Sequence, residues 1–257
     1  MPADSKADYR RKKQFFNQML TVYGRQATLE ALQDAQLTCY RLHLADSNKP
    51  APVLQRLLKL AADRGVEVCF HGKRELSRIS RNGKQDQGVA ADILCPGFRS
   101  VEDYLATAPE PGERLLAVDS VTNPQNAGML VRSAVAGGIS GIIWPDTGNA
   151  ALGPLAIKAS AGTLYRAPLL RCDKLGPALR QFHDRGFRIY TLEANAPASL
   201  FDQRDASNTV YVLGNESKGV SEDARAQADG SLSIPMHNSV ESLNVAVTAA
   251  LIAYLDK

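Results

Sequence analysis

The chain has 257 residues, 44% hydrophobic and 22% charged, which leaves room for one large or two modest domains with a real core and excludes a disordered chain. Its formal net charge of +3 arises in residues 1–113, with 17 Lys+Arg against 14 Asp+Glu, while the remainder carries 13 of each. No apolar run reaches the ~20 residues needed to cross a bilayer, and "MPADSKADYRRKKQFF" lacks the apolar segment of a secretory leader. Cys39, Cys69, Cys95 and Cys172 are scattered without a C-x-x-C pair. That pattern predicts free thiols in a reducing compartment, so the expected location is cytoplasmic.

In chain order, residues 1–18 form a basic arm with Lys6, Arg10, Arg11, Lys12 and Lys13, able to meet phosphate or simply to be solvated. "RQATLEALQDA" then reads as a helix and "CYRLHLA" as a strand. In "APVLQRLLKLAADRG" the residues Val53, Leu54, Leu57, Leu58 and Ala61 share one helical face, and Gly65 ends the helix. "VEVCFHG" is a strand, "KRELSRIS" a short helix and "GVAADILC" another strand. Residues 19–107 are thus expected to form a small α/β domain. Arg25, Arg41, Arg74, Arg78 and Arg81 are candidates for phosphate contact there, each also compatible with a solvated face. A linker is expected at 108–113, where Pro109, Pro111 and Gly112 punctuate a polar stretch.

Residues 114–257 alternate again. "RLLAVDSV" is a strand, "QNAGMLVRSAVAGG" a helix and "SGIIWPD" a strand. "LYRAPLL" reads as a strand, "KLGPALRQFHDRG" as a helix, and "FRIYTLEA" and "TVYVLGNE" as strands. Apolar strands joined by helices predict a mostly parallel sheet covered on both faces. The apolar run from Val245 to Leu255 predicts a buried last helix.

Open α/β sheets collect ligands beyond the carboxyl ends of their strands. Three segments put polar and glycine residues there. "DSVTNPQNAGMLVRSA" carries Asn126, Gly128 and Arg132. "YVLGNESKGVSEDA" carries Gly214, Glu216 and Gly219. "SIPMHNSVESLN" carries Ile234, Pro235, Met236, Ser242 and Asn244. Each has a plainer explanation: Asn126 and Ser242 as helix caps, Arg132 as a surface cation, Glu216 as a favourable charge at a helix start. "AVAGGISG" ends a helix and precedes a strand, the reverse of a dinucleotide-binding turn. "NESKGVS" has Lys and Gly in the wrong order for a P-loop. His43, His71, His183 and His237 lack metal-ligand spacing, and no serine nucleophile elbow is present. No metal is expected.

In these three segments the chain resembles the SpoU (TrmH) branch of the SPOUT RNA methyltransferases. "NAGMLVRSA" matches the family's Asn-x-Gly with a following Arg, "LGNESKG" its Gly-x-Glu followed by Gly, and "IPMHNSVESLN" its Ile-Pro-Met leading to Ser-Leu-Asn. "VYGRQATLEAL" and "QDQGVAADI" are similar to the substrate-binding domain of ribose methyltransferases, whose fold is like that of a small ribosomal protein. Asp86-Gln87-Gly88 stands where the family often has His-Gln-Gly, and a carboxylate there opposes a phosphate contact.

The resemblance implies a C-terminal parallel sheet tied in a deep trefoil knot, an exception to the rule against threading, and a homodimer. The last helix would be buried by the knot and by the partner. It implies S-adenosylmethionine as cofactor, held by Gly214, Ile234, Met236 and Leu243. It implies transfer of a methyl group to a ribose 2′-hydroxyl of RNA, with Asn126, Arg132, Glu216, Ser242 and Asn244 as the catalytic set. Ribosomal RNA (23S) is the expected substrate, with transfer RNA the alternative. A non-catalytic RNA-binding protein on the same fold is the rival from another class.

Overall fold

The computed structural model describes residues 11–203 and 207–255. The first ten residues of the expected basic arm lie outside them, and residues 11–17 are helical (α1). The chain divides into two compact units, a smaller one of Gln18–Pro96 and a larger one formed by the rest.

The smaller unit contains β1 (Met19–Tyr23), α2 (Arg25–Gln33), β2 (Thr38–Ala45), α3 (Pro52–Asp63), β3 (Glu67–His71), α4 (Lys73–Ser80) and β4 (Val89–Leu94). Its sheet has the order β1-β4-β2-β3. β4 runs antiparallel to both neighbours, and β2 and β3 are parallel. α3 buries Leu54, Leu57 and Ala61, three members of the expected apolar face, whereas Leu58 is exposed. β1 was not foreseen: "MLTVY" directly follows the polar arm, and only the tertiary pairing with β4 reveals its burial alternation.

The larger unit continues with β5 (Arg99–Ser100), α5 (Val101–Leu105), β6 (Arg114–Val118), α6 (Pro124–Ala136), β7 (Gly141–Pro145), α7 (Pro154–Ala159), β8 (Leu169–Cys172), α8 (Leu175–Asp184), β9 (Arg188–Leu192), β10 (Ala198–Ser199), β11 (Thr209–Leu213), α9 (Glu222–Arg225), β12 (Gly230–Ser233) and α10 (Val245–Ala253). Its eight-stranded sheet has the order β10-β12-β9-β11-β6-β7-β8-β5, with every strand pair parallel. Buried strands of this kind read as continuous apolar runs, and β7 and β11 are buried at every position.

One face of the sheet packs a core that includes Val101 of α5, Leu179 and Phe182 of α8 and Ala224 of α9. α6 packs against both α7 and α10. α10 buries Val245, Ala246, Ala249, Ile252 and Ala253, and a Cβ on Gly137 would lie 2.4 Å from the Cβ of Ala253. The close approach of α6 and α10 therefore depends on small residues.

Two expectations are corrected. The change of unit falls at Pro96 and Gly97, ahead of the stretch 108–113 expected to be the linker. Phe98, Val101, Tyr104 and Leu105 are buried, and the Tyr104 hydroxyl donates to Glu113, so the proline-rich stretch is a loop inside the larger unit. "LYRAPLL" is not one strand. Thr163–Arg166 forms a 3-10 turn, and only Leu169 onward enters the sheet, because Ala167 and Pro168 stand between them.

Candidate active site

β6 leads into α6 through a short loop. Asn123 caps α6: its Oδ1 accepts from the backbone N–H of Gln125 at 2.9 Å and of Asn126 at 3.4 Å. Pro124 occupies the first turn, where its missing N–H costs nothing. Capping is thus done by Asn123, and the Asn126 side chain is left for other work. Its Nδ2 donates to Glu216 Oε1, and its Oδ1 accepts from Asn244 Nδ2 at 3.1 Å. Gly128 has a different reason to be glycine: a Cβ there would lie 2.3 Å from the carbonyl oxygen of Ala156, so it permits the packing of α7.

The loop after β11 is built around Asn215. Its backbone exchanges hydrogen bonds with Gly219, its Oδ1 accepts from the N–H groups of Ser217 and Lys218, and its Nδ2 donates to Ser120 O at 2.8 Å. Gly219 has φ +70°, a conformation that side chains resist. A Cβ on Gly214 would sit 2.3 Å from the backbone carbon of Gly219. Buried Asp119 accepts from the Ser221 N–H at 2.6 Å. These bonds fix the turn that presents Glu216.

The third segment crosses from β12 to α10. β12 pairs with β9, whereas α10 packs on α6, so residues 234–244 pass over strands that lie between. Asn244 caps α10 by accepting from the Ala246 N–H at 2.9 Å while its amide reaches Asn126. It combines the site contact with the capping that the sequence alone offers to Ser242. Ser242 is exposed and does not cap the helix.

A cavity of about 350 Å³ lies beside this cluster. Its wall includes Gly214, Ile234, Met236 and Leu243, with Glu216 and Ser242. Leu213 and Val245 add apolar surface, and Glu193, Arg225 and Glu241 add charge. Arg132 is exposed on α6. Among the described residues it forms no hydrogen bond with Asn126, Glu216, Ser242 or Asn244. The structure therefore joins Asn126, Glu216 and Asn244 directly, sets Ser242 in the adjoining wall, and leaves Arg132 outside the network.

Sequence reasoning missed Asn123, Asp119, Asn215, Glu193 and Arg225. Asp119 and Glu193 had a signal available, since each is the first residue beyond an apolar strand. The cysteines are all free. Burial pushes the thiols of Cys39 up to about 11 and of Cys95 and Cys172 up to about 12, so none of these three is a thiolate nucleophile at neutral pH. Among the described residues no group of three or more His, Cys, Asp or Glu is placed to hold a metal ion.

A parallel sheet that gathers its strand-end loops beside one cavity defines an α/β protein that takes a small ligand beyond its strand ends. The chain belongs to the SpoU rRNA Methylase family, whose model matches residues 113–254. Residues 21–93 match a second model, RNA 2′-O ribose methyltransferase substrate binding. An uncharacterized tRNA/rRNA methyltransferase of Mycolicibacterium smegmatis is 32% identical over 253 residues, 97% of this chain and 80% of that protein. One from Mycobacterium tuberculosis is 32% identical over 249 residues, 96% and 77% of the two chains. Among solved structures, the SpoU methyltransferase AviRb from Streptomyces viridochromogenes, in complex with AdoMet, has TM-score 0.60 at 22% identity, covering 92% of this chain and 88% of its own. An rRNA methyltransferase from Sinorhizobium meliloti has TM-score 0.60 at 21% identity, covering 93% and 86%. These two likenesses establish the fold.

Proposed function

We propose that this methyltransferase uses S-adenosylmethionine to methylate a ribose 2′-hydroxyl in RNA, with ribosomal RNA ahead of transfer RNA as substrate. The observation that carries the reading is Asn126, which bonds at once to Glu216, 90 positions away, and to Asn244, 118 positions away. Three motifs far apart in sequence meet in one polar cluster beside a cavity. The family and the second matched model support the RNA ribose assignment.

The cavity fits the cofactor in size and chemistry. Its volume falls in the range of about 300–1,000 Å³ typical of small-ligand sites. Leu213, Ile234, Leu243 and Val245 supply apolar surface for a purine, and Glu216 and Glu241 suit a ligand bearing cationic groups. Gly214 lets the loop behind this wall fold tightly, since a Cβ there would lie 2.3 Å from the Gly219 backbone carbon. When bound, S-adenosylmethionine supplies a methyl group already activated by its sulfonium.

The chain's own residues then have to hold the ribose and manage its proton. Asn126 keeps Glu216 and Asn244 in fixed relation, so the carboxylate and amide groups present one surface to the sugar. Ser242 adds a hydroxyl at the cavity wall. Arg132 is exposed, and a guanidinium is by its chemistry a poor base. It anchors a substrate phosphate and stabilises the developing alkoxide on the 2′-oxygen. The trefoil knot and the homodimer belong to the same reading. The crossing of residues 234–244 between β12 and α10 supports the first, and the exposed Met129, Val247 and Tyr254 on or beside the packed helices α6 and α10 support the second.

The test is methyl transfer from labelled S-adenosylmethionine to RNA, followed by mapping of 2′-O-methyl positions. Ribosomal RNA should be labelled and transfer RNA not. Labelling of transfer RNA alone reverses the order of substrates, and no transfer to either leaves a binding protein. Arg132→Lys should cut turnover about a hundredfold or more with cofactor affinity intact. Near-normal turnover would sink a role for the planar guanidinium.

A further inference from the structure

β9 ends at Leu192, and the next residue brings the Glu193 carboxylate into the cavity wall. β9 and β11 run parallel with Thr191 opposite Val212. Two further steps along both strands put Glu193 level with Gly214, and both residues line the cavity. Glu193 is held from two sides: its Oε1 accepts from Thr191 Oγ1 at 2.9 Å and from Arg225 Nε at 2.9 Å. Thr191 is 1% exposed, so its hydroxyl is a fixed tether. Both of these donors fall on Oε1, which leaves Oε2 its acceptor capacity in a residue that lines the cavity.

A purely structural ion pair explains this arrangement poorly. The Glu193 and Arg225 side chains are 30% and 46% exposed, and pairs so open contribute little to stability. A carboxylate just past a strand end, beside a glycine turn, is instead how open parallel sheets receive the hydroxyls of a nucleoside ribose.

Resting on the cofactor reading above, we propose that Glu193 accepts a hydrogen bond from the ribose hydroxyls of the adenosyl half of the cofactor through Oε2. Thr191 and Arg225 act as positioning residues that aim it. The cofactor's methionine ammonium is the other donor a carboxylate could take, so the test separates the two. Calorimetric affinity is measured on the full chain for S-adenosylhomocysteine, which has both donors, and for 5′-methylthioadenosine, which has the ribose but no ammonium.

Wild-type protein should bind both ligands. Glu193→Ala should weaken both by the same factor, about tenfold or more. Glu193→Gln should weaken both less, and Thr191→Val should follow in the same direction with an unchanged ratio between ligands. Unchanged affinity in Glu193→Ala overturns the proposal, and so does a loss confined to S-adenosylhomocysteine, which would assign the carboxylate to the ammonium. Should Glu193→Ala fail to fold, Glu193→Gln carries the same test, with unchanged affinity as the overturning result. Failure of wild-type protein to bind either ligand would sink the cofactor reading itself, an outcome distinct from the loss of Glu193's role alone.

Discussion

The two units each carry a polar network, and the networks differ in kind. In the smaller unit, His43 is buried on β2. Its Nε2 lies 3.0 Å from Asp92 Oδ2, and its Nδ1 lies 2.9 Å from His71 Nε2. Thr21 donates to the other Asp92 oxygen at 2.7 Å, and Glu75 lies 3.3 Å from His71 Nδ1. Every ring nitrogen and both Asp92 oxygens meet a partner within the unit. In the larger unit, half-buried Asn126 joins Glu216 and Asn244, which are both exposed, with Ser242 exposed nearby. A network that satisfies itself stabilises its fold, whereas one with donors and acceptors left over is prepared to receive a ligand.

That contrast can be broken most sharply at Asn126. Asn126→Ala should lower methyl transfer about a hundredfold while changing unfolding free energy by about 1 kcal/mol or less, since the partners it loses are exposed and can turn to water. Paired turnover and denaturant curves measure this, and a large stability loss would make the cluster structural after all. Asp92→Asn should do the reverse, costing about 2 kcal/mol by unbalancing a mostly buried hydrogen-bonded group.

Its pH dependence has a definite sign. Burial pushes the Asp92 carboxyl up, but the bonds from His43 and Thr21 outweigh it and hold the group below the ordinary carboxylate range. A depressed folded pKa adds stability that is complete above the unfolded value of about 3.9 and is lost as pH falls through the folded value. Acid titration of stability should therefore show a limb below about pH 4 that Asp92→Asn flattens. The smallest effect belongs to Asn123→Ala, expected to cost about 1 kcal/mol through the lost cap. Because the cap and the site side chain are different asparagines, it should leave cofactor affinity unchanged, as read by calorimetry.

Much of the site was legible because its residues fall in compact motifs at strand ends. Glu216 and Asn244 are readable from "LGNESKG" and "SLN", and the cavity residues Gly214, Ile234, Met236 and Leu243 from the same stretches. Which of two nearby asparagines caps α6 was not readable, since Asn123 and Asn126 both suit a helix entry and only the backbone path chooses between them. The acid at Asp86 reads in sequence as a carboxylate that would oppose a phosphate contact. The structure instead buries it, accepting from Ser80 Oγ at 2.9 Å and from the Gly88 N–H at 3.0 Å. Arg41, a candidate phosphate contact, is taken up by Glu67 across the β2–β3 pair. The His43–Asp92 pair left no trace in sequence because its members are 49 positions apart on different strands.

By itself the sequence determined the alternation of strands and helices, the parallel sheet and the family of the larger unit. Those follow from local periodicity and from short motifs, in which neighbouring residues constrain one another. The tertiary structure alone decided which distant side chains meet: Asn126 with Glu216 and Asn244, Glu193 with Arg225, His43 with Asp92. Strand order sets those meetings, and strand order is a choice among long-range pairings that no local pattern encodes.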